Sequence, residues 1–181
     1  MDKRYPIGRF DYSGKVSSTQ REIWINEIEE FPSKLKEAVN DLSEDQLDLR
    51  YRDGGWTIRQ VVHHLADSHM NSMIRFKLAL TEETPTIKPY DEKQWAELQD
   101  STNADIHLSV MLLEALHSKW VFLLRSMTES DYQKQFYHPA YDKMQSLEYT
   151  LGQYVWHGKH HIAHISTAFG GERQHDLDST S

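Results

Sequence analysis

The chain contains no cysteine in its 181 residues. Disulfides, thiolate zinc sites and a cysteine nucleophile of the protein's own are therefore excluded, and any thiol chemistry has to use a substrate's sulfur. It also lacks the run of about 18 apolar residues that a helix needs to cross a bilayer. The N-terminal stretch MDKRYPIGRF has neither the apolar region nor the cleavage site of a secretion signal. A soluble, cytoplasmic protein with no membrane partner is the expectation. Positive charge is scarce: 20 Lys and Arg stand against 28 Asp and Glu, for a formal net charge of −8. No basic cluster rises out of that background to neutralise a phosphate backbone, which argues against nucleic acid as a partner. Sustained two-residue alternation, the mark of a half-buried strand, is missing as well.

What is present is helical periodicity in four segments, so the expected fold is all-α, in one domain over residues 1–171 followed by a disordered polar tail over 172–181. The first helix is expected from about Ser18 to Leu42, with Trp24, Ile28, Phe31, Leu35, Val39 and Leu42 on one face and a kink or restart at Pro32. The second opens at Thr57 after the Gly54-Gly55 turn, where Thr57 and Gln60 have capping-box spacing. Its core face is Ile58, Val62, Leu65, Ser72 or Met73, and Phe76. The stretch from Thr84 to Asn103, with a short helix at Asp91 to Leu98 anchored by Trp95, is long enough for a crossover rather than a hairpin turn. A third helix, Asp105 to Met127, carries Leu113, Leu116, Trp120, Leu123 and Met127 on its stripe. A fourth, Ser146 to Phe169, ends at Gly170-Gly171. The tryptophans and methionines at helical spacing read as core packing.

The 11 histidines are the compositional anomaly, because neutral imidazole is the commonest metal ligand. The fourth helix reads H-G-K-H-H-I-A-H from His157 to His164. Side chains at i and i+4 share a face, so His157 with His161 and His160 with His164 are both candidate pairs, and spacing alone leaves the choice open. The border position of His157, beside Tyr154, Gly158 and Ile162 on the buried stripe, favours the first pair. An open metal site usually takes three protein ligands. His64 is the best third donor, since it shares a stripe with Thr57, Ser68, Asn71 and Arg75, and a polar stripe facing a bundle interior is costly unless it lines a cavity or a ligand. His63 points about 100° away and reads as a surface residue or one that supports the site from outside. Gly158 stands where the zinc-protease helix H-E-x-x-H carries its general-base Glu, so that chemistry is excluded. Asp67 and His164 are the candidates for proton transfer.

Several stretches together resemble one family: Gly55-Trp56-Thr57-Ile58-Arg59-Gln60-Val61-Val62-His63-His64-Leu65, the late helix His157-x-x-x-His161-x-x-His164, and also Tyr51-Arg52-Asp53, Pro89-Tyr90-Asp91 and Tyr137-His138-Pro139. The chain resembles the DinB-like superfamily, more closely its YfiT branch of metal-dependent hydrolases, related to bacillithiol S-transferases. The likeness runs nearly to Phe169. It implies a four-helix bundle with an unusual order of helix directions, a metal triad at His64, His157 and His161, and a homodimer. His164 departs from the family pattern, where a Gln is usual, which argues against its being the essential ligand.

A divalent ion on three neutral imidazoles, zinc or nickel being the metals expected, lowers the pKa of bound water or of a substrate thiol. Hydrolysis of a small molecule and thiol transfer thus need the same ligands. Arg75 on the His64 stripe suits the carboxylates of a thiol cofactor such as bacillithiol, with Asn71 and Trp56 as further substrate contacts. A non-enzymatic bundle stapled by its ion would need a fourth ligand, from His164 or Asp67.

Overall fold

The computed structural model describes residues 2–12 and 14–169. Four long helices form the bundle: α1 (Ser18–Val39), α3 (Ile58–Thr81), α6 (Ile106–Ser126) and α8 (Leu147–Ala168). Single-turn helices α2 (Glu44–Leu47), α4 (Glu92–Trp95), α5 (Gln99–Thr102) and α7 (Glu129–Tyr132) lie in the connections. The expected starts hold to within a residue, because each is set by a side-chain cap: Ser17, Thr57, Asp105 and Ser146. Thr57 and Gln60 do form the capping box, and the Gln60 amide also donates to the Ala96 carbonyl at 2.8 Å, tying the crossover to the start of α3. The turn before it needs Gly54, whose φ of 65° lies in the left-handed region.

Around the bundle the order is α1, α6, α3, α8, each packing on the next and α8 closing on α1. Contacts give the directions. His63, His69 and Phe76 of α3 meet Ser109, His117 and Trp120 of α6 in ascending order, so these neighbours run parallel. Trp24 and Phe31 of α1 meet Gly152 and Gly158 of α8, a second parallel pair. Two parallel helices cannot be joined by a tight turn, and the 82–105 connection is the required crossover.

Four sequence expectations change. The bundle carries a two-stranded antiparallel hairpin, β1 (Gln135–His138) and β2 (Lys143–Ser146), in the register Gln135 to Ser146. Strands of four residues are too short to show an alternation. α1 runs unbroken through Pro32 and stops at Val39. On α6 the buried stripe is Val110, Leu113, His117, Trp120, Val121 and Leu124, with Leu116, Leu123 and Met127 only partly buried. Trp95 packs on Tyr90 at 4.6 Å while Ala96 is the buried anchor, and Met111 and Met144 are exposed. Gly170-Gly171 and the tail at 172–181 lie outside the described residues.

The apolar core comes in two parts. One gathers Trp24, Ile28, Met73, Phe76, Trp120, Leu147 and Leu151, the other Phe31, Leu35, Ile58, Leu65, Val110, Leu113 and Ile165. Between them on α3, α6 and α8 lies a polar layer of His69, His117, His157 and His161.

Candidate metal centre

α3 delivers His64 from its second turn and α8 delivers His157 and His161 from one face, and because α3 and α8 pack together these three meet. One ring nitrogen from each lies within 4.8 Å of the others. Nε2 of His64 and Nε2 of His157 are 3.3 Å apart. Two nitrogens each about 2.0–2.1 Å from a tetrahedral ion stand roughly 3.3–3.4 Å from each other, so this pair has the spacing for a divalent metal of that kind, with His161 within 4.8 Å. Burial pushes His64 down to about 4 and holds His157 and His161 well below the usual imidazole range, the neighbouring histidines adding to the effect. All three are neutral at pH 7, with lone pairs free for a Lewis acid.

The second pair is used differently. The His160 ring lies on Trp156 at 4.5 Å and near Tyr5 at 6.0 Å. His164 stacks on Tyr51 at 4.0 Å, and its Nδ1 is 3.3 Å from Nδ1 of His161. It thus touches a triad residue. Among the described residues, no fourth His, Asp or Glu joins the group of three.

His63 is a correction: it is buried, with Nδ1 2.7 Å from the Ser109 hydroxyl and Nε2 3.2 Å from the Ala104 carbonyl, so it ties α3 to the start of α6. The first turns of α3 are covered by α8, α6 and the crossover at once, so the direction away from His64 is also interior.

Beside the triad opens a cavity of about 430 Å³ whose wall includes His157, Ser68, Arg75, Tyr90, His138 and Tyr154. Arg75 is half-buried, and its Nη1 reaches the Tyr154 hydroxyl at 3.5 Å. No carboxylate among the described residues pairs with it within 4.0 Å. Burial, then the neighbouring Tyr154, pushes Tyr90 above its usual range, so its hydroxyl stays a donor. Burial likewise raises Glu92 on the same wall. Trp56 lies outside this wall, tilted over His64 at 4.7 Å. Asn71 is also outside it, its amide donating to the Asp67 carbonyl at 2.8 Å. Asp67 is half-buried, outside the wall too, and burial together with the charge of Asp100 raises it to about 6.

Two histidines of the polar layer escaped the sequence reading. His69 and His117 are fully buried, Nδ1 of His69 lies 2.8 Å from Nε2 of His117, and Nε2 of His69 lies 3.3 Å from Nδ1 of His157. The available signal was His117 itself, a polar residue on the apolar stripe between Leu113 and Leu124, which needs a partner.

Residues 27–165 match the DinB superfamily. The "Putative metal-dependent hydrolase YfiT" of Bacillus subtilis (strain 168) is 57% identical over 162 residues, which cover 90% of this chain and 91% of that protein. The "Putative metal-dependent hydrolase OB0782" of Oceanobacillus iheyensis is 53% identical over 167 residues, 92% of this chain and 96% of its own. Among solved structures, YfiT from Bacillus subtilis, described as having "an unusual four-helix bundle topology", superposes with a TM-score of 0.93 at 53% identity, covering 95% of this chain and 98% of its own.

Proposed function

The chain belongs to the DinB superfamily, and from that premise we propose that it is a hydrolase of small molecules that works with one divalent ion, zinc or nickel, on His64, His157 and His161. The observation that carries the reading is the meeting of three neutral imidazoles beside a cavity, with no fourth protein ligand among the described residues. An ion with an open position supplies Lewis acidity there, bringing the pKa of water toward neutrality.

The chain's own groups do the rest. Burial keeps the three donors unprotonated. The hydroxyls of Ser68, Tyr90 and Tyr154 line the cavity as polar contacts for a substrate. Arg75, which has no carboxylate partner among the described residues, orients an anionic group of the substrate by a charge-assisted contact. Asp67, raised to about 6, lies outside the cavity wall and is left without a role in the reaction, and His164 supports His161.

Arg75 also favours a second reading, in which the same ligands activate the sulfur of a carboxylate-bearing thiol such as bacillithiol for transfer to an electrophile. The metal-loaded protein should be assayed on ester and amide substrates and, separately, on an electrophile such as monochlorobimane with and without small thiols. Turnover without thiol is the expected result. Conjugation that requires the thiol overturns the hydrolase in favour of the transferase. Silence in both, with a large loss of thermal stability on chelation, leaves a structural ion. A homodimer belongs to the same proposal, supported by the exposed Leu108, Met111, Leu112 and Phe122 of α6. Sedimentation should return twice the chain mass of 21.3 kDa.

A further inference from the structure

The polar layer contains more histidines than the metal chemistry needs. The Nδ1 of His117 lies 2.5 Å from the carbonyl oxygen of Ile28, its Nε2 lies 2.8 Å from Nδ1 of His69, and Nε2 of His69 lies 3.3 Å from Nδ1 of His157. Each long helix contributes one link: Ile28 from α1, His69 from α3, His117 from α6 and His157 from α8. We propose that His117 and His69 are positioning residues, a hydrogen-bonded chain anchored on the Ile28 carbonyl that holds His157 as its Nδ1–H tautomer with the Nε2 lone pair aimed at the metal centre.

Hydrogen-bond direction fixes each tautomer along the chain. A carbonyl oxygen only accepts, so His117 must donate from Nδ1, and a neutral imidazole has then only an acceptor left at Nε2. His69 must therefore donate from Nδ1 and accept at Nε2. That leaves Nδ1 of His157 as the donor and its Nε2 unprotonated, 3.3 Å from Nε2 of His64. Burial favours the neutral form at every link, with His117 pushed down to about 4 and His69 well below the usual range. Ring rotation is blocked too. Phe31 lies over both rings, at 5.0 Å from His69 and 5.3 Å from His117, and Trp120 meets both edge-on. Metal-ligating histidines commonly donate their second N–H to a carboxylate or a carbonyl. Here the carbonyl acts from two rings away.

The purpose assigned to this chain rests on the metal reading above, but the tautomers can be observed without metal. Long-range ¹H–¹⁵N correlation of the metal-free protein near pH 7 should show His69, His117 and His157 protonated at Nδ1; an Nε2–H form at His69 or His157 overturns the proposal. His117→Phe keeps a flat ring but offers His69 no acceptor. It should release the Nδ1–H tautomer of His157 and weaken zinc and nickel binding on the order of 10–100-fold. His117→Gln restores an acceptor for His69 and should keep most of the affinity. A folded His117→Phe variant with wild-type tautomers and affinity, or a His117→Gln variant that loses as much as the Phe one, overturns the positioning role. Should His117→Phe fail to fold, the wild-type tautomers and the Gln variant still decide. Intact tautomers without any metal binding would instead sink the metal reading.

Discussion

At the scale of single residues, the candidate centre depends on which nitrogens face each other. His64→Ala, His157→Ala and His161→Ala should each abolish metal uptake in elemental analysis of the purified protein. His160→Ala should not, because that ring is occupied with Trp156 and Tyr5. Retention of metal in any of the first three would show that the wrong nitrogens were assigned. Arg75→Gln should raise KM for a carboxylate-bearing thiol or ester while leaving uncharged analogues unaffected. Equal effects on both would remove the anion contact. Spacing narrowed the candidates to two histidine pairs on one helix and a third histidine on a polar stripe, which are local patterns, and the family resemblance chose His157 with His161. His69 and His117 could not be found in this way, since their relation to His157 runs through three different helices.

At the scale of elements, the close approach of α1 to α8 is decisive. A Cβ built on Gly158 would stand 2.7 Å from two carbons of the Phe31 ring, the ring that lies over His69 and His117. Gly158→Ala should therefore destabilise the protein by about 1–3 kcal/mol in denaturant titrations and also weaken metal binding, since Phe31 must move off the histidine layer. Stability loss with unchanged metal affinity would separate the two. Thr57→Ala removes one half of the capping box and should cost about 1 kcal/mol. The four long helices were legible because a 3.6-residue period repeated over 21 to 24 residues outweighs local noise. The hairpin was not, for its strands have four residues each. His63 was misjudged because a helical-wheel argument assumes one wet face, and the start of α3 has none.

At the scale of the whole molecule, buried histidines in and beside the polar layer tie stability to pH. Burial lowers His64, His117, His160 and His164 to about 4 from an ordinary 6.5. Between those values the unfolded chain binds more protons than the native one, so stability present above pH 6.5 is lost as pH falls toward 4. Asp67, raised from 3.8 to about 6, and Glu92, also raised by burial, act in the opposite sense, but the lowered histidines outnumber them. Calorimetry of the metal-free protein should show the melting temperature falling steeply from pH 6.5 to 4. A flat profile would mean that the histidines are not held neutral. α6 is long and apolar enough to cross a membrane by length and composition, yet it packs against both α1 and α3 and buries His117 between them.

The long helices, their caps and the candidate histidine pairs could be read from the order of residues, because periodicity, capping and i, i+4 geometry act within one element. The parallel pairing of α3 with α6, the cavity beside Arg75 and the chain of imidazoles from Ile28 to His157 became visible in the packed fold. Those relations exist only between elements, where packing sets which side chains meet, and a buried polar group is stable only if the fold brings it a partner.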